Sequence, residues 1–581
     1  MSAPLDVIAP KVTAAITAAL GDDFAGSDPV LRPSQFADVQ VNAALALAKK
    51  AKRNPREVAA AIVENLDLSA ECSDIEVSGP GFINLTYRQE WLGSLVSALA
   101  ADEQLGVKQQ QRQIIPIDYS APNVAKEMHV GHLRTTVVGD SLARTLERLG
   151  HQVIRQNHIG DWGTPFGMLI EHLLAVGLES EQAALLRTDP NAFYHAARAE
   201  FEGDEEFATR ARARVVALQA GDPETLELWG RLIALSTAYF NRIYSALGVT
   251  LTDDDLAGES TYNDMLPGIC DELEAKGIAV ISEGALCVFL DAYTGREGKP
   301  VPLIIRKSDG GYGYGTTDLA TIKHRVEDLH ADRVLYVIGA PQALHLSMVF
   351  DTARHAGWLP DTVEVVHVKI GNVLGEDRKI LRTRSGAPLR LMALIEEAVA
   401  KAQRHIDEAR PDLPDDERAD IARQIGVGAI KYADLSVAHD SEYVFDLDRM
   451  LALTGNTGPY LQYAATRIRS IFRGKGGEPI DSEVAAQAPI TLEAEHERAL
   501  ATHVLGFGAV VAAVGESLEP HRLAIYLFDL AQAFSAFYEN CPVLSAEDEA
   551  QRASRLALCA VTLRVLVEGL DLLGIESPAQ M

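Results

Sequence analysis

The sequence predicts a multidomain α/β chain: a parallel-sheet domain split by a helical insertion, preceded by a small α+β unit and followed by an all-α bundle. Three observations predict it. A short apolar run, Ile114, Ile115 and Ile117, ends on Asp118 as a buried parallel strand does. Leu133, Val137, Leu142, Leu146 and Leu149 then recur at helical spacing before Val153 and Ile154 open a second strand. Near the C-terminus, Leu523, Leu527, Leu530, Phe534 and Phe537 repeat at four and three residues, the core face of a helical bundle.

In order along the chain, helices are predicted near Val7–Leu20, Val41–Lys52 and Arg56–Leu66. Ile75–Val77 and Phe82–Tyr87 alternate as strands around Ser78-Gly-Pro-Gly81, a turn by composition. The parallel sheet begins near Gln113 and runs through His158-Ile-Gly-Asp161-Trp162-Gly163. A long stretch rich in Ala, Glu and Arg, from about Phe166 to Ala246, reads as a helical insertion; Gly258-Glu259-Ser260 and an apolar strand, Ala285–Leu290, lie in its second part. Leu303–Ile305 and Arg333–Ile338 are expected to resume the sheet, with a glycine-rich turn opening a helix between them, Asp309-Gly-Gly-Tyr312-Gly-Tyr314-Gly-Thr-Thr-Asp318. From about Arg418 onward the pattern is helical, with a loop at Gly474-Lys-Gly-Gly477.

Length and composition narrow the function. A chain of 581 residues divides into roughly three to five domains. The predicted location is cytoplasmic: no apolar run approaches the ~20 residues of a membrane span, and the N-terminus carries no basic segment leading into an apolar core. Cys72, Cys270, Cys287, Cys541 and Cys559 are scattered and never form Cys-x-x-Cys, so neither a disulfide framework nor zinc is expected. The net charge of −29 argues as a total against a nucleic-acid partner. Its distribution argues the other way. Basic clusters stand at Lys49, Lys50, Lys52, Arg53 and Arg56, at Arg378, Lys379, Arg382, Arg384 and Arg390, and at Arg467, Arg469, Arg473 and Lys475. Any one of them reads equally well as a solvated face; three in different domains fit a long polyanion crossing the molecule.

The loop between the first strand and its helix reads Asp118-Tyr-Ser-Ala-Pro-Asn-Val-Ala-Lys-Glu-Met-His129-Val-Gly131-His132-Leu-Arg134. Strand, loop, helix and strand in that order put both histidines at a helix N-terminus, where free N–H groups and the macrodipole receive phosphate. Imidazoles there donate to the pentavalent phosphorus formed when a carboxylate attacks an α-phosphate, which is adenylyl transfer.

This stretch closely resembles the signature of class I aminoacyl-tRNA synthetases in its arginyl form, with Val130 in place of the isoleucine of HIGH and Lys126 at the lysine position typical of arginyl enzymes. Gly79-Pro-Gly81-Phe82-Ile83-Asn84 resembles the N-terminal domain of that family, Gly455–Ile468 the start of its anticodon-binding bundle, and Leu572–Met581 its C-terminus. The resemblance implies a multidomain α/β protein with a class I Rossmann-type parallel-sheet catalytic domain. Residues 1–110 would form the N-terminal α+β tRNA-contacting domain, and 111–375 the catalytic domain, with its insertion at about 166–300. Residues 376–435 would form the mobile second-signature loop and connecting helices, and 436–581 the all-α anticodon-binding domain.

The activity implied is arginyl-tRNA synthesis: L-arginine is activated by ATP with Mg²⁺ and transferred to tRNA(Arg), activation depending on bound tRNA. His129, His132 and Lys126 are the implied catalytic residues. The second signature reads Lys379-Ile-Leu381-Arg382-Thr383-Arg384-Ser385-Gly386 and lacks its usual lysine, so Lys126, Arg382 and Arg384 are expected to share its charge. Pro122, Asn123, Val124, Ala125, Lys126, His129, Gly131 and His132 are the implied ATP contacts. A planar guanidinium calls for a carboxylate and an aromatic cover, which Tyr314 and Asp318 supply by resemblance, four apart on one helix face. Asp118, Ser120, Asn123 and Gln342 complete the expected arginine site; Pro341 before Gln342 departs from the family pattern. Lys49, Lys50, Lys52, Arg53, Tyr460, Gln462, Tyr463 and Arg467 are the expected tRNA contacts. A monomer without bound zinc is expected; the alternative is a non-catalytic tRNA-binding paralogue of the same fold.

Overall fold

The computed structural model describes the chain except residues 1–3, 35, 296–297, 382–388, 475–478 and 547. The N-terminal unit comprises α1 (Pro4–Leu20), β1 (Leu31–Pro33), β2 (Val39–Val41), α2 (Ala43–Ala51), α3 (Pro55–Glu64), β3 (Cys72–Ser78), β4 (Phe82–Tyr87) and α4 (Gln89–Ala100). Its strands pair antiparallel in the order β1-β2-β4-β3. Val41 belongs to β2, so the helix expected from that residue starts at Ala43. Gly81, at φ 135° in the turn between β3 and β4, leaves room for the backbone of α3: a Cβ there would stand 2.8 Å from the Pro55 carbonyl.

β5 (Ile114–Asp118) passes through α5 (Val130–Arg148) to β6 (Gln152–Gln156). The insertion follows as α6 (Thr164–Val176), α7 (Glu181–Thr188), α8 (Pro190–Gly203), α9 (Glu205–Gln219) and α10 (Pro223–Leu247). After a 3-10 helix, Glu259–Met265, come α11 (Leu266–Ala275), β7 (Ala279–Ser282), β8 (Ala285–Thr294), β9 (Pro300–Arg306), α12 (Tyr314–Glu327), β10 (Arg333–Gly339), α13 (Ala343–Ala356) and β11 (Glu364–Ile370). The parallel sheet has the order β11-β10-β5-β6, with Ile117 opposite both Arg155 and Leu335. Leu303–Ile305 does not resume it. That run lies in β9, which pairs antiparallel with β8 (Leu303 opposite Val288) in a separate sheet β7-β8-β9. β9 carries the same kind of short Leu/Ile run as the parallel strands, and the sequence pattern does not tell the two sheets apart.

The remainder comprises β12 (Val373–Leu374), α14 (Leu391–Ala409), α15 (Asp415–Leu435), β13 (Tyr443–Val444), α16 (Leu447–Met450), α17 (Gly458–Phe472), α18 (Ser482–Ala485), α19 (Glu495–Leu505), α20 (Phe507–Ser517), α21 (His521–Asn540) and α22 (Glu549–Leu572). The stretch Glu495–Ser517 is long and apolar enough to cross a membrane. Here it serves as core: Gly508 lies against the Gly106 carbonyl and Gly515 against Leu149, with no space for a Cβ at either.

α5 is bound to α15 by buried charge. Arg134 donates to Asp434 Oδ1 at 2.6 Å, to the Ser441 carbonyl at 2.6 Å and to the Ala438 carbonyl at 3.3 Å, and stacks on Tyr443. One turn back on α15, Lys431 is fully buried beside Asp140 and donates to the Leu247 carbonyl at 2.7 Å. The polarity of the two pairs is reversed along the seam, so a register slip would leave buried charges unpaired. Asp434→Ala, which strands the Arg134 guanidinium, is expected to cost about 3–5 kcal/mol. A fall of several degrees in the thermal midpoint checks this; an unchanged midpoint contradicts it.

Candidate functional site

At the C-terminal edge of the parallel sheet a cavity of about 840 Å³ is lined by residues from the loops after β5 and β6, by the N-termini of α5 and α12, and by the loops after β10 and β11. Open parallel sheets bind ligands at this edge. A larger groove of about 1490 Å³ lies between α4, residues 482–493 and α22, but no histidine, tyrosine or aspartate lines it. The chemistry belongs to the smaller cavity.

One end is built on the first turn of α5. His129 is the N-cap, and its Nδ1 accepts the Gly131 N–H at 3.1 Å; His132 Nδ1 accepts the His129 N–H at 3.1 Å. With both Nδ1 atoms accepting, each neutral ring carries its proton on Nε2 and presents a donor. Burial holds both neutral: it lowers the His129 pKa and, with His129 alongside, brings His132 down to about 3. The rings stand 4.2 Å apart. Gly131 is required by this pair itself, since a Cβ there would lie 2.8 Å from His129 Cε1.

The loop before the histidines is strained. Ser120, Ala121 and Ala125 all take positive φ, of 71°, 46° and 56°. The insertion braces it: Tyr244 on α10 stands 2.8 Å from Ser120 Oγ and accepts Asn157 Nδ2 at 3.0 Å, while Ser236 accepts the Ala125 N–H at 3.0 Å. Asn123 pairs with Gly160, where a Cβ would fall 2.3 Å from Asn123 Oδ1.

The other end is lined by acidic side chains. Tyr314 opens α12, is 75% exposed and stands on the cavity wall rather than beneath the glycines. Asp318, one turn on, is held by His345 Nε2 at 2.5 Å, and that contact raises the His345 pKa. Glu259 completes the end. The backbone of 255–259 runs beside 157–159, with the Glu259 N–H donating to the Ile159 carbonyl at 3.1 Å, which places Glu259 on the cavity wall. Burial, then the charges of Asp161 and Asp318, raise its pKa to about 8. Sequence reasoning noted Gly258-Glu259-Ser260 without a role; the signal available was the need of a guanidinium for more than one acceptor.

Ser120, Asn123, His129, Gly131, His132, Tyr314, Asp318 and Gln342 therefore converge on the cavity. Gln342 is exposed on its wall at the end of a short 3-10 helix. The other expected residues fall as follows. Asp118 is not on the wall: its carboxylate accepts from the buried Arg325 at 2.8 Å. Pro122, Val124 and Ala125 are buried and shape the loop from behind. Lys126 is exposed, its Nζ 4.8 Å from the Tyr194 ring and off the cavity wall. Arg382 and Arg384 lie outside the described residues. Among the tRNA expectations Gln462 is fully buried, bonding the Gln424 and Glu576 carbonyls, and presents nothing to a ligand. Lys49, Lys50, Lys52 and Arg53 are exposed. Arg467 stacks between the exposed rings of Tyr463 and Tyr538, at 4.9 and 5.2 Å, and Tyr460 packs on Phe528.

A parallel sheet whose first crossover helix opens on a half-buried histidine pair defines the catalytic domain of a class I aminoacyl-tRNA synthetase. The family description "tRNA synthetases class I (R), catalytic domain" matches residues 94–447, "Arginyl tRNA synthetase N terminal domain" residues 6–87 and "DALR anticodon binding domain" residues 461–581. The chain is 67% identical over 581 residues to an arginine–tRNA ligase of Thermobifida fusca, covering all of both chains. It is 52% identical to that of Frankia casuarinae over 98% of this chain and 97% of the other. Among solved structures it superposes on the Plasmodium falciparum arginyl-tRNA synthetase with a TM-score of 0.83 at 28% identity, covering 100% of both chains. The Thermus thermophilus enzyme gives 0.79 at 25% identity, over 99% of this chain and 100% of the other. The chain belongs to the arginyl-tRNA synthetase family.

Gly131→Ala tests the histidine geometry. Displacing the His129 ring is expected to lower kcat for adenylate formation by ~10²-fold with little change in KM for ATP or arginine. Wild-type kcat in that variant contradicts the assignment.

Proposed function

We propose that the chain attaches arginine to tRNA(Arg) in two steps within this one cavity. One observation carries the reading: neutral N–H donors stand at one end of the cavity and paired carboxylates at the other. A substrate cationic at its side chain, with its carboxylate directed at a phosphate, matches that polarity. Nothing at the site favours the non-catalytic alternative.

Tyr314, Glu259 and Asp318 hold the guanidinium, with Gln342, Ser120 and Asn123 near the α-amino and carboxylate end. ATP enters as its Mg²⁺ complex, the ion neutralising charge on the phosphates. An arginine carboxylate oxygen attacks the α-phosphorus; the bond to the bridging oxygen breaks and pyrophosphate leaves. His129 and His132 donate from Nε2 to the charge that builds on the α-phosphate. Lys126, released from Tyr194, together with Arg382 and Arg384, offsets the charge on pyrophosphate. A ribose hydroxyl at the tRNA 3′ end then attacks the activated carbonyl, the bond to the phosphate oxygen breaks, and AMP leaves with the hydroxyl proton on its phosphate.

The tRNA would run past Lys49, Lys50, Lys52 and Arg53 to Tyr460, Tyr463 and Arg467, and activation would await its binding. Residues 1–110 would meet the outer corner of the tRNA and 436–581 its anticodon. Cytoplasmic, monomeric protein is the form proposed, and the five free, buried cysteines suit a reducing compartment.

Charging of a tRNA pool by arginine alone among the amino acids, with pyrophosphate exchange only when tRNA is present, is the expected outcome. Charging by another amino acid overturns the reading. The site also fixes a pH dependence. Glu259 is protonated below about pH 8 in the empty site, and the guanidinium binds its ionised form. Binding therefore expels a proton, and KM for arginine is expected to fall by up to about tenfold per pH unit as pH rises toward that value, then level off. Glu259→Gln is expected to raise KM and flatten the profile between pH 6 and 8.5, as initial rates of charging would show.

A further inference from the structure

We infer that Asp161 is a positioning residue for arginine recognition: from behind the cavity wall it fixes the Gly258–Glu259–Ser260 turn and supplies a charge that Glu259 transmits to the guanidinium. The inference rests on the reading of Glu259 as a guanidinium ligand.

Asp161 is 4% exposed and does not reach the cavity. Its carboxylate is spent on the turn: Oδ1 accepts the Ser260 N–H at 2.8 Å and Oδ2 accepts Ser260 Oγ at 2.6 Å. Gly258 makes that approach possible, because a Cβ there would fall 2.3 Å from Asp161 Oδ2. Asp161 is itself anchored by Trp229 of α10, whose Nε1 donates to the Asp161 carbonyl at 2.8 Å. Glu259 is thus tied on one side to Ile159 through its own N–H and on the other to Asp161 through its neighbour.

The charge matters as much as the geometry. Glu259 and Asp318 stand at one end of the cavity with the Asp161 carboxylate behind them, faced by His158 beside Asp161, by His345 on Asp318 and by the Tyr314 hydroxyl. In the empty site the charges of Asp161 and Asp318 oppose ionisation of Glu259. An arriving guanidinium relieves that repulsion and finds a deeper potential than Glu259 and Asp318 alone would make. A merely structural Asp161 would hold the turn without setting where Glu259 titrates.

Asp161→Asn keeps the shape and removes the charge. In charging assays of the full-length protein from pH 6 to 8.5, KM for arginine is expected to rise ~10-fold at the upper end while KM for ATP stays within about twofold. The pH at which KM for arginine levels off is expected to move down by about one unit. Ser260→Ala removes one arm of the clamp and leaves the charge, so KM for arginine is expected to rise about threefold with the levelling point unmoved. Wild-type KM for arginine and levelling point in Asp161→Asn overturn the inference, as does a parallel rise of both KM values. If Asp161→Asn does not fold, unchanged KM for arginine in Ser260→Ala overturns it. A wild-type pH profile in Glu259→Gln overturns the underlying reading of Glu259, independently of the Asp161 result.

Discussion

The site depends first on how α5 is anchored. Two residues beyond His132, the Arg134 guanidinium is enclosed by Asp434, two carbonyls and the Tyr443 ring. Six residues farther along the helix, Asp140 faces the buried Lys431. Removing either partner strands a charge where water cannot reach it, so the helix that aims the histidines is held rigidly to α15. α15 is in turn tied through Gln462 to the end of the chain, because Gln462 donates to both the Gln424 and Glu576 carbonyls. Through Gln462 the catalytic domain and the bundle are therefore joined by continuous packing and hydrogen bonds.

Within the cavity, chemistry is partitioned by protonation. The histidines are kept neutral by burial, which lets them donate to a phosphate without binding the triphosphate as a fixed cation would. The opposite end is kept short of a cation, with Glu259 raised to about 8 until one arrives. In the proposed mechanism each end would disfavour the other's ligand, and that difference would orient arginine with its carboxylate toward the α-phosphate before any bond forms.

Periodicity and local motif made part of this legible. Ile114 to Asp118, the helix after it and the glycine cap of α12 follow short-range rules, and Tyr314 and Asp318 share a helix face because they are four apart. What sequence left hidden depends on distant partners. Asp118 looks like a ligand until Arg325, 207 residues away, takes its carboxylate. Gln462 sits in a polar-looking segment, yet it satisfies backbone groups of α15 and the C-terminal tail. Glu259 lacks any local pattern, since its place is set by pairing of 255–259 beside 157–159. The bracing of the histidine loop by Ser236 and Tyr244 is equally invisible, because those residues read simply as part of an insertion. Leu303–Ile305 shows the same limit for the fold, an apolar strand whose sheet is chosen by tertiary pairing.

A crystal structure of the protein with arginine and a non-hydrolysable ATP analogue tests the central claim, the opposed polarity of the cavity, most directly. The account predicts the guanidinium hydrogen-bonded to both Glu259 and Asp318 with Tyr314 over it, and the α-phosphate within reach of Nε2 of His129 and His132. A guanidinium placed away from Glu259, or an α-phosphate bound elsewhere than the first turn of α5, would contradict it.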